Sequence, residues 1–161
     1  MNLLIIGSGG REHAIAWKIS QSNKVKNIYV TPGNPGINLE EKVSLIEIDN
    51  PTIKDYIGIA KEKSIDLTIV GPEAPLVEGI VDEFNKNNLK IFGPNKLASQ
   101  LEGSKDFCKN ILNSGNVRTA KHRSFKESIS AIKYVKEQNM PIVIKADGLA
   151  AGKGVFIIDD R

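Results

Sequence analysis

Short apolar runs and amphipathic stretches alternate along most of this chain. The run NLLIIG (residues 2–7) ends at a glycine, as a buried parallel strand does, and helical spacing follows from Glu12 to about Ser20. Further strands are predicted in NIYVTPG, IDLTIVG and LKIFGP, and further helices in DNPTIKDYIGIAKEKS and APLVEGIVDEFNKN. In the first of these helices we expect Asn50 as the N-cap and Pro51 at the first helical position. Such alternation predicts an α/β fold, with a parallel sheet covered by helices on both faces.

The pattern changes after Gly103. The stretch LASQLEGSKDFCKNILNSG has helical spacing on both sides of that glycine, and a later helix is predicted in KESISAIKYVKEQ. Two strands, PIVIKA and GVFIID, then flank a glycine-rich loop. We therefore divide the chain into residues 1–103 and residues 104–161.

Charge is distributed unevenly between these two parts. Residues 1–103 carry 11 basic and 13 acidic side chains, whereas residues 104–161 carry 11 basic and 6 acidic ones. The excess of positive charge in the second part indicates an anionic ligand, or a domain whose acidic portion is missing from this sequence. Both interpretations stay open at this point.

Composition excludes several classes of protein. A net charge of +3 over 161 residues is too small to indicate a nucleic-acid-binding protein. The longest apolar runs are far shorter than a membrane span, and the single cysteine, Cys108, suits a reducing compartment. We expect a cytoplasmic protein, monomeric, with small-molecule partners and neither a nucleic-acid nor a membrane partner.

The first glycine cluster, IGSGGREHA, connects a predicted strand to a predicted helix. Gly7, Gly9 and Gly10 permit a tight turn and leave backbone N–H groups uncovered, and the helix N-terminus adds partial positive charge. Arg11, in the first turn, can add a charge-assisted contact. The cluster predicts a site for a phosphate or carboxylate; the alternative is a tight turn without a ligand.

The competing interpretation of this cluster is dinucleotide binding. The dinucleotide fingerprint requires a third glycine where this chain has Glu12. It also requires an acidic residue at the end of the second strand, where this chain has only Val30 to Gly33. Both differences count against an NAD-type oxidoreductase.

Other turns are expected at the same edge of the sheet, because ligands of parallel sheets collect beyond the carboxyl ends of the strands. PGNPG, GPEAPL and GPN each follow a predicted strand. One small polar molecule is therefore expected to lie among Gly7, Gly9, Gly10, Arg11, Asn34, Glu73 and Pro75. Glu73 is either a ligand for hydroxyl or amine groups or a cap of the following helix. His13 is interpreted as a packed or helix-face histidine and not as a catalytic base.

The second glycine cluster, KADGLAAGKGV, lies between two strands. A glycine-rich hairpin can fold over a polyphosphate and donate its amides to the phosphate oxygens. It is not a Walker loop, because strand residues follow Lys153 where a Walker loop has Ser or Thr and then a helix. The alternative is a flexible surface hairpin with a charged tip.

The whole chain resembles the phosphoribosylamine–glycine ligases, or glycinamide ribonucleotide synthetases, which are ATP-grasp enzymes of purine synthesis. The matching stretches, in order, are IGSGGREHA, PGN, DLTIVGPEAPL, KIFGP, QLEGSK and PIVIKADGLAAGKGV. One departure is NVRTA, where the family usually has a proline before the threonine and this chain has Arg118. The resemblance implies a Rossmann-like pre-ATP-grasp domain over residues 1–103 and the beginning of an α+β ATP-grasp domain over residues 104–161.

The resemblance also implies an activity. The enzymes use ATP, with Mg²⁺ or Mn²⁺, to phosphorylate the carboxylate of glycine, and the amine of 5-phosphoribosylamine then attacks the glycyl phosphate. The first glycine cluster would bind the phosphoribosylamine. The ATP-binding residues implied by similarity and by the glycine loop are Lys105, Lys145, Asp147, Gly148, Gly152, Lys153 and Gly154. No catalytic side chain is assigned, because the chemistry needs charge stabilisation and positioning more than a nucleophile.

Enzymes of this family are much longer than 161 residues. The chain is therefore expected to be a fragment that is inactive alone, with the acidic metal ligands of the family lying beyond Arg161. A standalone nucleotide- or phosphate-binding module and a nicotinamide-dependent oxidoreductase domain are the alternatives. Protection by NAD but not by Mg-ATP would favour the oxidoreductase.

Overall fold

A computed structural model describes residues 1–150 and 152–160. The residues form two compact units, Met1–Ser99 and Gln100–Arg161. In the first unit the strands are β1 (Asn2–Gly7), β2 (Asn27–Pro32), β3 (Val43–Leu45), β4 (Leu67–Val70) and β5 (Ile91–Phe92). Its helices are α1 (Gly10–Ser20), α2 (Ile53–Glu62), α3 (Glu73–Glu78) and α4 (Ile80–Lys86), with a 3₁₀ turn at Ile37–Leu39. A further helix, α5 (Lys96–Gly103), extends across the boundary between the units.

The five strands form one parallel sheet in the order β3-β2-β1-β4-β5. The central strand β1 is buried on both faces, which explains why its sequence is continuously apolar. Leu4 and Ile6 pack with residues of α2 and α4, including Phe84, on one face. Leu3 and Ile5 pack with Ala16 of α1 on the other. The predicted α/β fold with a parallel sheet covered on both faces is therefore confirmed.

Three local details differ from the sequence-based expectation. The short edge strand β3 was not predicted, because three residues carry too little periodicity to recognise. The expected helix APLVEGIVDEFNKN is two helices, α3 and α4, because Gly79 between them adopts φ +104°. The expected N-cap at Asn50 is wrong, since α2 is capped by Thr52.

The second unit contains α6 (Lys105–Ser114), α7 (Ser128–Lys136) and the strands β6 (Ile142–Lys145) and β7 (Val155–Ile158). The two strands pair antiparallel, with Lys145 opposite Val155. Apolar side chains of this hairpin are exposed in the described residues, with Phe156 58% and Ile157 67% accessible. Cys108 of α6 is a free, half-buried thiol. Among residues 1–150 and 152–160, no helix is both long and apolar enough to cross a membrane.

Candidate functional site

A cavity of about 460 Å³ opens at the carboxyl end of β1, where the first glycine cluster was expected to bind a ligand. Five of the predicted residues line it: Gly7, Gly9, Gly10, Arg11 and Glu73. Its remaining lining was not predicted and consists of Ile6, Ser8, Glu12, Pro32, Tyr56 and Pro72. The cavity thus brings together the turn after β1 and the turn after β4, as the parallel topology requires.

Two predicted residues, Asn34 and Pro75, do not line this cavity. The Asn34 Nδ2 group donates to the carbonyl of Ser8 at 2.7 Å, and its Oδ1 accepts from the amide of Ile37 at 3.0 Å. Asn34 therefore stabilises the glycine turn through its hydrogen bond to Ser8. Pro75 lies within α3, where its carbonyl accepts a hydrogen bond from Gly79 at the end of the helix.

Glu12 is the main functional candidate that the sequence analysis did not assign. It is only 5% exposed, and its Oε2 accepts a hydrogen bond from the amide of Gly9 at 2.6 Å. The carboxylate fills a slot between glycines. A Cβ on Gly71 would lie 1.9 Å from Oε1, and a Cβ on Gly7 would lie 2.6 Å from Cγ. Its signal in the sequence was the glutamate in place of the third glycine.

The arrangement of Glu12 changes where an anion can bind. The Gly9 amide, one of those expected to hold a phosphate, is already bonded to the carboxylate. The N-terminal amides of α1, beginning at Gly10, have no acceptor inside the helix and carry its partial positive charge. An anion is therefore best accommodated on the Gly10 and Arg11 side of the turn.

Arg11 links the two turns that form the cavity. Its Nη1 donates to the carbonyl of Gly71 at 2.6 Å, which joins the end of β4 to the start of α1. A guanidinium has five N–H donors, so this contact leaves others for a ligand. Arg11 is exposed and lines the cavity, as a residue that binds an anion must.

Two other titratable residues differ in their relation to the first cavity: Tyr56 lines it, and His13 does not. Burial raises the pKa of the Tyr56 hydroxyl, and the negative charges of Glu78 and Asp55 act in the same direction, so Tyr56 is a neutral hydrogen-bonding group at physiological pH. His13 lies outside the cavity lining, and its Nε2 is 2.8 Å from Oε1 of Glu40. This side-chain hydrogen bond agrees with a helix-face histidine.

A second cavity, of about 310 Å³, lies within the second unit. Three predicted residues line it: Lys105, Lys145 and Asp147. The other lining residues are Asp106, Lys109, Ala120, Lys121, His122, Arg123, Ser124 and Val143. The basic residues of this set were not predicted, because no sequence motif marks them. Together with the two predicted lysines they make the cavity strongly basic, which suits a polyphosphate.

The glycine loop has the backbone that its sequence indicates. Gly148 and Gly152 adopt φ +91° and +77°, conformations that side chains with a Cβ rarely adopt. Gly154 is buried, and a Cβ there would lie 2.9 Å from Ala150 and 3.0 Å from Ala146. Gly148, Gly152, Lys153 and Gly154 do not line the second cavity, and Ala151 of this loop lies outside the described residues.

Asp147 contacts the N-terminus of α6. Its carboxylate accepts hydrogen bonds from Ser104 Oγ at 3.0 Å and from the Lys105 amide at 2.7 Å. Partial burial opposes ionisation of this carboxyl group. The hydrogen bonds that it accepts outweigh burial, so its pKa is lower than usual.

Among the described residues, carboxylates are not clustered in a way that could bind a metal ion. Residues 1–150 and 152–160 contain no cluster of three or more His, Cys, Asp or Glu side chains that could hold a metal. Asp106, the other acidic residue of the second cavity, accepts hydrogen bonds from Ser124 and from Asn110.

Comparison with known proteins matches both parts of the chain to one family. Residues 1–102 match the family described as phosphoribosylglycinamide synthetase, N domain, and residues 103–161 match its ATP-grasp (A) domain. Phosphoribosylamine–glycine ligase of Clostridium acetobutylicum is 52% identical over 160 residues, covering 99% of this chain and 38% of that protein. The ligase of Vibrio cholerae is 55% identical over 157 residues, covering 98% of this chain and 37% of that protein.

A solved structure has the same architecture. The crystal structure of phosphoribosylamine–glycine ligase from Thermotoga maritima superimposes with a TM-score of 0.74 at 30% sequence identity. The superposition covers 99% of this chain and 36% of that protein. This chain therefore spans a little over a third of the length of the relatives that it matches. With the parallel sheet, the glycine turn and the lysine-lined cavity, these matches show that the chain belongs to the phosphoribosylglycinamide synthetase family.

Proposed function

We propose that this chain forms the phosphoribosylamine site and the phosphate-binding loop of an ATP-dependent ligase that joins glycine to 5-phosphoribosylamine. The observation that carries the proposal is the pair of cavities, one at the N-terminus of α1 beside Arg11 and one lined by Lys and Arg side chains, in a chain that matches both family domains along its length. In this proposal residues 1–103 bind the ribosylamine phosphate and residues 104–161 contribute to the ATP site.

The proposed reaction has two steps. The carboxylate oxygen of glycine attacks the γ-phosphorus of ATP, the bond to the bridging oxygen breaks, and ADP leaves. The amine nitrogen of phosphoribosylamine then attacks the carbonyl carbon of the glycyl phosphate. Inorganic phosphate leaves, the nitrogen loses a proton, and the product is an amide.

In the first step, Lys105 and Lys145 are proposed to neutralise charge on the transferring phosphoryl group. Both line the same cavity, and such electrostatic stabilisation is the main contribution that a protein makes to phosphoryl transfer. Asp147, Gly148, Gly152, Lys153 and Gly154 are proposed to form the loop that closes over ATP. ATP is expected to act with Mg²⁺ or Mn²⁺.

In the second step, the first cavity is proposed to orient phosphoribosylamine. The phosphate is placed at the N-terminus of α1 beside Arg11, and Glu73 is available as an acceptor for a hydroxyl or amine. Asn34 acts indirectly, by holding the glycine turn. A dinucleotide is not favoured, because the buried Glu12 carboxylate occupies the slot between Gly7 and Gly71.

Ribose 5-phosphate, a stable stand-in for phosphoribosylamine, tests this assignment. Arg11→Ala should weaken its binding about tenfold, which corresponds to about 1.4 kcal/mol, as measured by calorimetric titration of the folded variant. Lys18→Ala is the matched control, because it removes the same charge from the exposed face of α1. Equal weakening by both substitutions would mean that only the overall charge of the helix matters.

The activity itself is tested in a longer protein that includes this chain. We expect formation of glycinamide ribonucleotide from ATP, glycine and freshly generated phosphoribosylamine. The absence of product under conditions in which a known family member is active would contradict the proposed function.

A further inference from the structure

The base of the glycine loop is joined to the N-terminus of α6 by hydrogen bonds that the helix residues donate and the loop residues accept. Asp147 accepts from Ser104 Oγ at 3.0 Å, from the Lys105 amide at 2.7 Å and from the Asp106 amide at 3.3 Å. The Lys105 ammonium also donates to the carbonyl of Gly148, at 2.7 Å. Two adjacent loop residues are thus held by adjacent residues that begin one helix.

The first consequence concerns the end of α6. The first amides of a helix form a natural site for an anion. Here the Asp147 carboxylate occupies that site, and it accepts from two consecutive amides. A phosphate in the second cavity is therefore not held by the end of this helix, which leaves the basic side chains of the cavity and the amides of the glycine loop as its donors.

The second consequence concerns Lys105. An ammonium group has three N–H donors, and the contact with Gly148 uses one of them. That contact fixes the direction of the side chain, which lines the same cavity as Lys145. Gly148 presents its carbonyl from a backbone with φ +91°, which is costly for any other residue.

We propose that Asp147 is a positioning residue, which holds the N-terminus of α6 against Gly148 and thereby directs the Lys105 ammonium toward phosphate. Asp147 itself contacts neither phosphate nor metal in this assignment. The inference rests on the proposed function only in identifying ATP as the molecule whose phosphate Lys105 contacts. The lowered pKa of Asp147 keeps its carboxylate ionised across the physiological pH range, in which its hydrogen bonds to α6 are needed.

The direction in which neutralising Asp147 changes polyanion binding distinguishes a positioning role from a simple effect of charge. Removing a negative charge from a basic cavity should strengthen the binding of a polyanion, because repulsion decreases. If Asp147 positions Lys105, its neutralisation should instead weaken binding. Asp159→Asn is the matched control, because Asp159 is an exposed aspartate of the same unit that does not line the cavity.

The probe is inorganic tripolyphosphate without metal, titrated by calorimetry into the 161-residue chain. We expect Asp147→Asn to weaken binding about fivefold to tenfold and Asp159→Asn to leave it unchanged or slightly tighter. In the Lys105→Ala background, Asp147→Asn should have no further effect, because its action passes through Lys105. Hydrogen exchange of the free chain should show the Lys105 and Asp106 amides, which donate to the Asp147 carboxylate, exchanging at least tenfold faster in Asp147→Asn alone.

Several results would overturn the inference. These are tighter binding in Asp147→Asn, additive losses in the double variant, unchanged exchange, no tripolyphosphate binding by the wild-type chain, or a loss that appears only when Mg²⁺ is present. If Asp147→Asn does not fold, Ser104→Ala removes one donor to the same carboxylate and should give a smaller loss in the same direction. Failure of the ligase assay with normal tripolyphosphate results would reject the proposed function and leave the role of Asp147 intact.

Discussion

Glu12 illustrates how one side chain sets the chemistry of a glycine turn. Its carboxylate lies between Gly7 and Gly71, accepts from the amide of Gly9, and is almost completely buried. In a dinucleotide-binding protein the corresponding glycine leaves space for close packing of strand and helix. Here the glutamate uses that space, and the neighbouring glycines are required so that it fits.

This packing predicts different outcomes for two glycines that line or border the same cavity. Gly71→Ala should lower the free energy of unfolding by about 1–3 kcal/mol, because its Cβ would overlap the Glu12 side chain. Gly10→Ala is the matched control, since nothing lies within 4 Å of its added Cβ, and it should change stability by less than about 1 kcal/mol. Urea denaturation followed by circular dichroism measures both. Equal stability of the two variants would show that Glu12 can leave its slot freely.

Lys145 carries the residue-scale prediction for the ATP site. In a longer protein that includes this chain, Lys145→Ala should reduce kcat/KM for ATP by an amount equivalent to about 2–4 kcal/mol of transition-state stabilisation. Binding of ribose 5-phosphate should not change. Lys133→Ala, on the exposed face of α7, removes the same charge as a control. Wild-type kinetics in Lys145→Ala would reject the ATP-binding role of this lysine.

Among the elements, α2 shows why its first residue was misplaced from sequence. Asn50 and Pro51 are a common start for a helix, but the helix begins at Ile53 and Thr52 is its N-cap. The reason is reciprocal hydrogen bonding: the amide of Thr52 donates to the Asp55 carboxylate at 2.8 Å, and the amide of Asp55 donates to Thr52 Oγ1 at 3.4 Å. Asn50 instead adopts φ +46° before the helix.

The capping contacts predict a pH dependence for this element. Hydrogen bonds from the Thr52 side chain and backbone lower the pKa of Asp55 below its model-peptide value of 3.8. A carboxylate with a lowered folded-state pKa stabilises the fold above its unfolded pKa, and the stabilisation is lost as pH falls through the folded pKa. Asp55→Asn should therefore destabilise the protein at pH 7 and have a smaller effect near pH 2.

Thermal melts at the two pH values check this prediction. Asp49→Asn is the matched control, because Asp49 is exposed and precedes the helix without belonging to it. A loss of stability in Asp55→Asn that is the same at both pH values would indicate that the charge of Asp55 is not involved.

At the scale of the whole molecule, the two units differ in how they bury apolar side chains. Both buried clusters lie in Met1–Ser99, on the two faces of the sheet. In the second unit, Ile129 is 84% exposed and Ile157 is 67% exposed. Low burial of apolar surface corresponds to low local stability.

We therefore predict that hydrogen exchange is slowest in β1 and faster throughout α7 and the β6–β7 hairpin. Among the proposed ligand loops, the segment from Gly148 to Gly154 should exchange faster than Gly7–Arg11, because a glycine hairpin has fewer packed neighbours than a turn that leads into a buried helix. Mass-spectrometric exchange of the chain gives this comparison directly. Comparable protection of both loops would contradict it.

The 161-residue chain alone should form no detectable product, because the described residues lack a metal-binding carboxylate group and span a little over a third of the relatives. The assay uses ATP, glycine and freshly generated phosphoribosylamine, with the Lys145→Ala chain as the blank. Magnesium-dependent glycinamide ribonucleotide above that blank would show that these residues suffice for catalysis.

Local sequence patterns determined the parallel fold, most helices and strands, and the two glycine clusters. The apolar run of β1 and the 3.6-residue spacing of apolar residues in α1, α2 and α4 arise because these elements bury one or both faces. These patterns are local, so they predict the elements even when the segments that pack against them are unknown. The glycine clusters were similarly visible, because positive φ values at Gly148 and Gly152 restrict the choice of residue at each position.

Only the tertiary structure decided which groups satisfy one another. The contacts of Arg11 with Gly71 and of Lys105 with Gly148 join residues 60 and 43 positions apart, and no local periodicity encodes such pairs. The same holds for the slot that receives Glu12 and for the basic residues that join Lys105 and Lys145 in one cavity. Sequence predicts elements because their patterns are local, whereas hydrogen-bond partners and packing clearances depend on where the fold places distant segments.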